Sequence, residues 1–468
     1  MYRNDGGRGI TEGVIWKQLL IFFFPILLGS FFQQMYNTVD TIIVGRAVGT
    51  QALAAVGSTA PLINLINGFF IGLSTGATVI LSQYYGANDQ EGTQRALHTG
   101  VALSLVLGLL TAAVGTVFGP EILALIRTPE SCREDAAAYV RIYFSGAVAS
   151  MVYNMGAGIL RAMGDSRRPM VYLIAACFVN IAMDVLCVVV LKKGIVGAAA
   201  ATVISQIISA ALILRALLKS GLRLKKIRIH RELVRRLLYI GVPAGLQYVT
   251  FDLANLLIQS GINSFGEVTV AAWTAFGKTD ALTWMISGAF GVSITTFVGQ
   301  NFGAQKYKRI RQSVWVCMAM SVALVGTLSI LTLTFRRFIL GIYTPDAEVI
   351  RVGAHVMACI VPFNILFMPV EVFAGTMRGT GYSVLPTVIT CLCVCVFRVA
   401  WIFLVVSRVH TVEMLAAAYP ISWALASVVF FTAYIRCNWL RKRIRACGME
   451  PEVREKRKNR KKELTAER

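Results

Sequence analysis

Asp40 and Asp184 each lie within a long apolar run and close a polar face at helical spacing. Gln33, Tyr36, Asn37 and Asp40 recur one turn apart, and Asn180 precedes Asp184 by four. Three more acids, Asp252, Asp280 and Glu371, and two bases, Lys278 and Arg398, stand in similar surroundings. Charge in a hydrocarbon-compatible stretch is costly, and residues kept there mark ion or substrate paths. Two carboxyls among neutral oxygens suit a monovalent cation. Held close, they repel and become a proton acceptor; Na+ would use the same oxygens, with Asp40, Asn180, Asp184 and Thr202 as its expected ligands. The lesser alternative is that each acid is satisfied separately by backbone or hydroxyl partners.

The elements carrying these residues follow from composition. The chain has 468 residues, 56% hydrophobic and 15% charged, with mean hydropathy +0.65. A soluble domain carries about a quarter charged residues, so a string of soluble domains is excluded. An all-α polytopic membrane protein is expected, with spans of about 20 apolar residues or more. Twelve spans are predicted, near 14–44, 52–82, 95–118, 135–160, 169–191, 195–218, 233–265, 268–299, 312–335, 348–377, 384–406 and 412–437. Barrel strands would be shorter and alternating. Ten cysteines without a CxxC pair and four scattered histidines support neither a zinc site nor a disulfide framework. There is no Walker A pattern for ATP drive and no nucleophile–base set for an embedded hydrolase.

The net charge of +22 would ordinarily raise nucleic acid as a partner. Placed along the chain, however, 34 of the 46 Lys and Arg fall in connectors or near span ends on the side of both termini, 10 likewise on the other side, and 2, Lys278 and Arg398, deep within spans. That bias puts both termini in the cytoplasm of a plasma-membrane protein. It makes nucleic acid unnecessary and leaves the lipid bilayer as the partner of the basic segments. The expected organisation is an N-terminal lobe at 1–220, a basic connector at 221–232, a C-terminal lobe at 233–440 and a charged tail at 441–468.

The two halves repeat one another. Ala54-Ala55 and Gln83-Tyr-Tyr-Gly86-Ala87 recur as Ala271-Ala272 and Gln300-Asn-Phe-Gly303-Ala304 with an identical spacing of 29 residues. Pro25 with Asn37 recurs as Pro243 with Asn255, and Arg161-Ala-Met-Gly164 as Arg378-Gly-Thr-Gly381. Six spans per copy is an even number, so the copies run in the same direction through the bilayer. Such a two-lobed arrangement is a transporter architecture with its path between the lobes. The inner turns at Arg161 and Arg378 are expected to anchor on carbonyls or lipid phosphate, and Gly68, Gly72 and Gly76 to permit close helix packing.

Counted from the outer span ends at about 1.5 Å per residue, Asp40 lies ~9 Å deep, Asp184 and Thr202 ~12 Å, and Tyr139 ~8 Å. Four spans thus converge on one level. The second half does not duplicate this site, because Phe397 and Trp401 replace Asn180 and Asp184. It carries instead a stripe of Tyr248, Asp252, Asn255 and Gln259. A Lys278–Asp252 ion pair is expected there, and Arg398 needs an anion from Glu371, Asp280 or Asp252.

The stretch from Gln33 through Asp40 to Val44-Gly45, with Ala54-Ala-Val-Gly57, Gln83-Tyr-Tyr-Gly86-Ala87, Leu160-Arg-Ala-Met-Gly-Asp165 and Asn180…Asp184, resembles the multidrug and toxic compound extrusion (MATE) family, in particular its DinF-like branch. With the second-half echoes, the likeness covers nearly the whole chain. Tyr382 departs from it, standing where the first inner turn has Asp165. The resemblance implies a V-shaped pair of six-helix lobes in a secondary antiporter, not an enzyme. It also implies export of small-molecule drugs or toxic organic cations in exchange for Na+ or H+, with no other cofactor and a monomeric chain. It assigns cation coupling to Asp40, Tyr139, Asn180, Asp184 and Thr202. Helix position and resemblance together nominate Gln33, Tyr36, Asn37 and Asn154 for substrate, and Asp252, Asn255, Lys278, Asp280, Glu371 and Arg398 form a second polar network. The alternative is a flippase for a lipid-linked saccharide, which would call for a strongly basic central cavity where only Lys278 and Arg398 are offered. A membrane-embedded enzyme or a channel is the more distant competitor.

Overall fold

A helix satisfies its own backbone hydrogen bonds, which hydrocarbon cannot do, and the long apolar runs fold accordingly. The computed structural model describes residues 10–125, 128–221, 228–436 and 439–446; most of the basic connector and of the charged tail lies outside the described residues. The first half comprises α1 (Ile15–Ala47), α2 (Thr50–Gly86), α3 (Gln90–Leu125), α4 (Glu130–Ser145), α5 (Ala147–Ala162), α6 (Arg167–Asp184) and α7 (Gly194–Lys219). The second comprises α8 (Arg231–Asn263), α9 (Glu267–Gly303), α10 (Tyr307–Thr334), α11 (Arg336–Tyr343), α12 (Ala347–Ile360), α13 (Met368–Gly379), α14 (Val384–Thr390), α15 (Phe397–Trp401), α16 (Val412–Arg436) and the short basic α17 (Trp439–Ala446). No strand occurs among the described residues.

Eleven segments among the described residues are long and apolar enough to cross a membrane. The crossing expected at 135–160 is divided instead: α4 and α5, each 16 residues, meet at Gly146. Two crossings contain wide π-helical turns, at Val185–Val190 after α6 and at Cys391–Val396 and Ile402–Val406 around α15. A third, α12 to α13, passes through the 3-10 segment Val361–Phe367.

The buried core falls into two clusters, one per half, but each is completed by the opening helix of the other half. Leu19, Phe22 and Phe23 of α1 belong to the second-half cluster, and Phe23 stacks on Phe290 with ring centroids 4.3 Å apart. Leu233, Leu237 and Ile240 of α8 belong to the first-half cluster. Just beyond these exchanged segments come Pro25 and Pro243, which remove a backbone donor and let a helix bend.

α2 and α8 cross along a ladder of glycines. A Cβ on Gly72 would collide with the backbone of Gly245, and one on Gly76 with the Leu237 carbonyl. The repeated motifs close the same end of the molecule. Gln83 Nε2 donates to the Gly379 carbonyl at 3.0 Å, and its counterpart Gln300 Nε2 donates to the Ala162 carbonyl at 2.7 Å. A Cβ on Gly86 would strike the Gln300 carbonyl, and one on Gly303 the Gln83 carbonyl. Both described chain ends lie on this closed side. Arg309 Nη1 donates to the Gly13 carbonyl at 2.7 Å, Asn301 Nδ2 to the Ile10 carbonyl at 3.4 Å, and Arg443 Nε to the Thr380 carbonyl at 2.9 Å.

Gly303→Leu puts a branched side chain where the Gln83 carbonyl sits and is expected to part the lobes on this side. Spin labels on Glu91→Cys and Lys308→Cys, both exposed, would then report a longer distance by pulsed EPR. An unchanged distance in a folded variant would contradict the close approach.

Candidate ion and substrate sites

Four crossings bring the first-half candidates together. Asp184 is the last residue of α6, directly before the π-helical turns, and such turns reset the direction of side chains and recur at functional sites. Asp40 comes from α1, Tyr139 from α4 and Thr202 from α7. All are buried: Asp184 is 0% exposed, Asn180 1%, Tyr139 and Thr202 4%, and Asp40 7%. The Asp40 and Asp184 carboxyls are near enough to interact directly, as are the Tyr139 and Thr202 hydroxyls. Thr202 Oγ1 donates to the Ala198 carbonyl at 3.2 Å and keeps its lone pairs.

The decisive feature is that both carboxyls lack a hydrogen-bond donor, although the Asn180 side-chain nitrogen is also buried without a partner beside them. Asp40 Oδ1, both Asp184 oxygens and the Asn180 side-chain oxygen are buried without a protein partner. Two ionised carboxyls have no hydrogen to share, so their contact is repulsive until a proton or a cation joins it. With a proton, it becomes a strong charge-assisted hydrogen bond. The four unpartnered acceptors are all hard oxygens, the ligand type that suits a cation such as Na+.

Beside the pair lies a small cavity of about 80 Å³ lined by Gln33, Tyr36, Asn154 and Asn180. Asn37 is exposed and does not line it. The sequence reading missed Asn67, Tyr143 and Gln206 here. Asn67 Nδ2 donates to the Tyr143 hydroxyl at 2.9 Å, and Gln206 lines the same cavity.

A larger cavity, about 470 Å³, opens between the lobes. Its walls are aromatic, including Phe251, Trp273, Phe276, Trp284, Phe367 and Tyr419. Its charged groups are Arg161, Asp280, Glu371, Arg378 and Arg398. Here the structure corrects several expectations. Lys278 is exposed, and among the described residues it forms no ion pair with Asp252. It sits two residues from buried Asp280, on the other side of α9. Glu371 pairs not with Arg398 but with Arg378, at 3.6 Å, and Arg378 also donates to Gln247 Oε1 at 3.2 Å. Asp280 accepts from Trp284 Nε1 at 2.7 Å and from Asn364 Nδ2 at 3.0 Å. Arg398 takes aromatic faces in place of a carboxylate, 4.2 Å from the Tyr419 centroid and 5.5 Å from that of Trp423. Asn255 lines this cavity, whereas Asp252 does not. Arg161 and Arg378 line it too, rather than lying at a lipid interface. The repeated Arg-x-x-Gly motif was the signal for them, and burial at the lobe interface is its meaning.

Two pseudo-symmetric helical lobes, a cavity between them and buried acids in one lobe define a polytopic membrane transporter. The MatE family model matches residues 25–186 and 243–406; the chain belongs to the MatE family. It is 29% identical over 446 residues to the probable multidrug resistance protein YoeA of Bacillus subtilis, covering 92% of this chain and 95% of that one. It is 24% identical over 352 residues to an FAD transporter of Shewanella oneidensis, covering 74% and 78%. A solved outward-facing conformation of a multidrug resistance MATE family transporter superposes with a TM-score of 0.87 at 22% identity, covering 94% of this chain and all of that one. This last likeness is one of fold.

Glu371→Gln strands Arg378 in a buried setting and is expected to cost about 3 kcal/mol, read as a lower melting temperature in detergent. Lys278→Met, which removes no partner, is expected to leave that temperature unchanged. A drop with Lys278→Met would show an ion pair there after all.

Proposed function

We propose that the chain is a multidrug efflux antiporter of the plasma membrane, with both termini cytoplasmic, exchanging amphipathic compounds for Na+ or H+. The observation that carries this reading is the donorless contact between Asp40 and Asp184, set apart from a larger aromatic cavity. The name of YoeA supports the drug-export part. The distribution of basic residues supports a cytoplasmic closed side, with this conformation open outward.

In this mechanism the cation enters from outside and relieves the repulsion between α1 and α6. α1 carries Asp40 at one end and, through Leu19, Phe22 and Phe23, part of the second lobe's core at the other. A shift at Asp40 is thereby passed to the wall of the central cavity. Exchange follows if cation and drug favour different states, since coupling is the difference in their affinities for the two. Tyr139, Asn180 and Thr202 position and complete the ion site.

The test is ethidium and norfloxacin efflux from vesicles under imposed gradients. Asp40→Asn and Asp184→Asn are each expected to lower gradient-driven efflux at least tenfold while leaving the protein folded. A Na+ gradient at equal pH and a H+ gradient without Na+ identify the ion. With H+, efflux rises as the outside is acidified; with Na+, it follows external Na+. Undiminished efflux in both variants would remove the pair from the coupling role.

A further inference from the structure

Arg398 is 2% exposed on the wall of the central cavity. Its Nε donates to Ser422 Oγ at 2.9 Å, and its Nη2 has no hydrogen-bond partner among the described residues. Two aromatic faces flank the guanidinium, and no carboxylate pairs with it among the described residues. Arg161, on the opposite lobe, likewise has a buried Nε without a partner and lines the same cavity. The two acids of the cavity are already engaged, Glu371 by Arg378 and Asp280 by Trp284 and Asn364. Three arginines therefore face two occupied carboxylates across an aromatic space of about 470 Å³.

A buried guanidinium without a counter-anion is expensive, and its planar fork matches a carboxylate. We infer that the central cavity binds aromatic compounds bearing an acidic group, with the acid on Arg398 and the ring system between Trp273, Trp284 and Tyr419. Simple organic cations do not use this subsite. The inference rests on the transporter reading, yet it concerns binding alone and stands or falls without the ion pair.

Three fluorescent probes with one ring system separate the cases: dansylglycine (anion), dansylglycinamide (neutral) and dansylcadaverine (cation). Binding is measured to the full-length protein in nanodiscs with no ion gradient, against empty nanodiscs. The acid is expected to bind about tenfold more tightly than the amide, the yield of one charge-assisted hydrogen bond, and the cation most weakly. Arg398→Gln should reduce the preference for the acid to within about twofold without loss of amide binding, and Arg398→Lys should restore part of it. Equal binding of acid and amide by the unaltered protein, tighter binding of the cation, or no binding of the acid overturns the inference even if Arg398→Gln does not fold. So does a preference that survives in folded Arg398→Gln. Efflux that still depends on Asp40 and Asp184 would leave the antiporter reading intact in each of these cases.

Discussion

α2 and α8 cross so closely that backbone meets backbone, and the two lobes are arranged around that crossing. Lipid offers helices no hydrophobic reason to associate, so contact depends on close van der Waals packing at small residues. Gly72 and Gly76 against Gly241 and Gly245 provide it. The Gln83 and Gln300 amides then add one hydrogen bond from each half, each to the carbonyl just after an arginine of the other half. Because the helices are held together at this end, the space left between the lobes becomes a cavity, with Arg161 and Arg378 among its walls.

The repeat explains what is shared, and the departures from it show what is specific. Both halves have a π-helical stretch at the corresponding place, after Asp184 in the first and after Trp401 in the second. The turn therefore belongs to the architecture, while the carboxyl occurs in only one half. Conversely, Arg398 in the second half has Ile181 as its counterpart in the first. Among the described residues, one lobe gathers carboxyls without donors, and the other holds Arg398 without a carboxylate.

Local signals were legible in the sequence and azimuthal ones were not. Hydropathy marked the crossings, and identical spacings marked the repeat, because both are written along the chain. The convergence of Asp40, Tyr139, Asp184 and Thr202 could be estimated from helical rise alone. The Lys278–Asp252 pairing failed because depth says nothing about direction: two residues along a helix turn a side chain by about 200°, which buries Asp280 and exposes Lys278. The break at Gly146 was hidden because no proline or charge marks the 144–151 stretch around it. The exchange of opening helices between cores was equally invisible, since Leu19 and Leu233 are apolar whichever lobe receives them.

That exchange bears on how a site in one lobe can act on the other. Two lobes touching only at a smooth interface could each change shape alone. Here α1 spans from Asp40 to Phe23, and Phe23 stacks on Phe290 of α9, the helix that also supplies Trp273, Asp280 and Trp284 to the central cavity. The route is physically continuous and runs through packed rings rather than loops. Coupling along it is reciprocal by necessity. In the proposed antiporter, a ligand that reshapes the cavity must therefore alter cation affinity at Asp40 and Asp184 by the same factor. The ionic state of that ligand matters as well, because the cavity wall carries an arginine with a donor still to be satisfied.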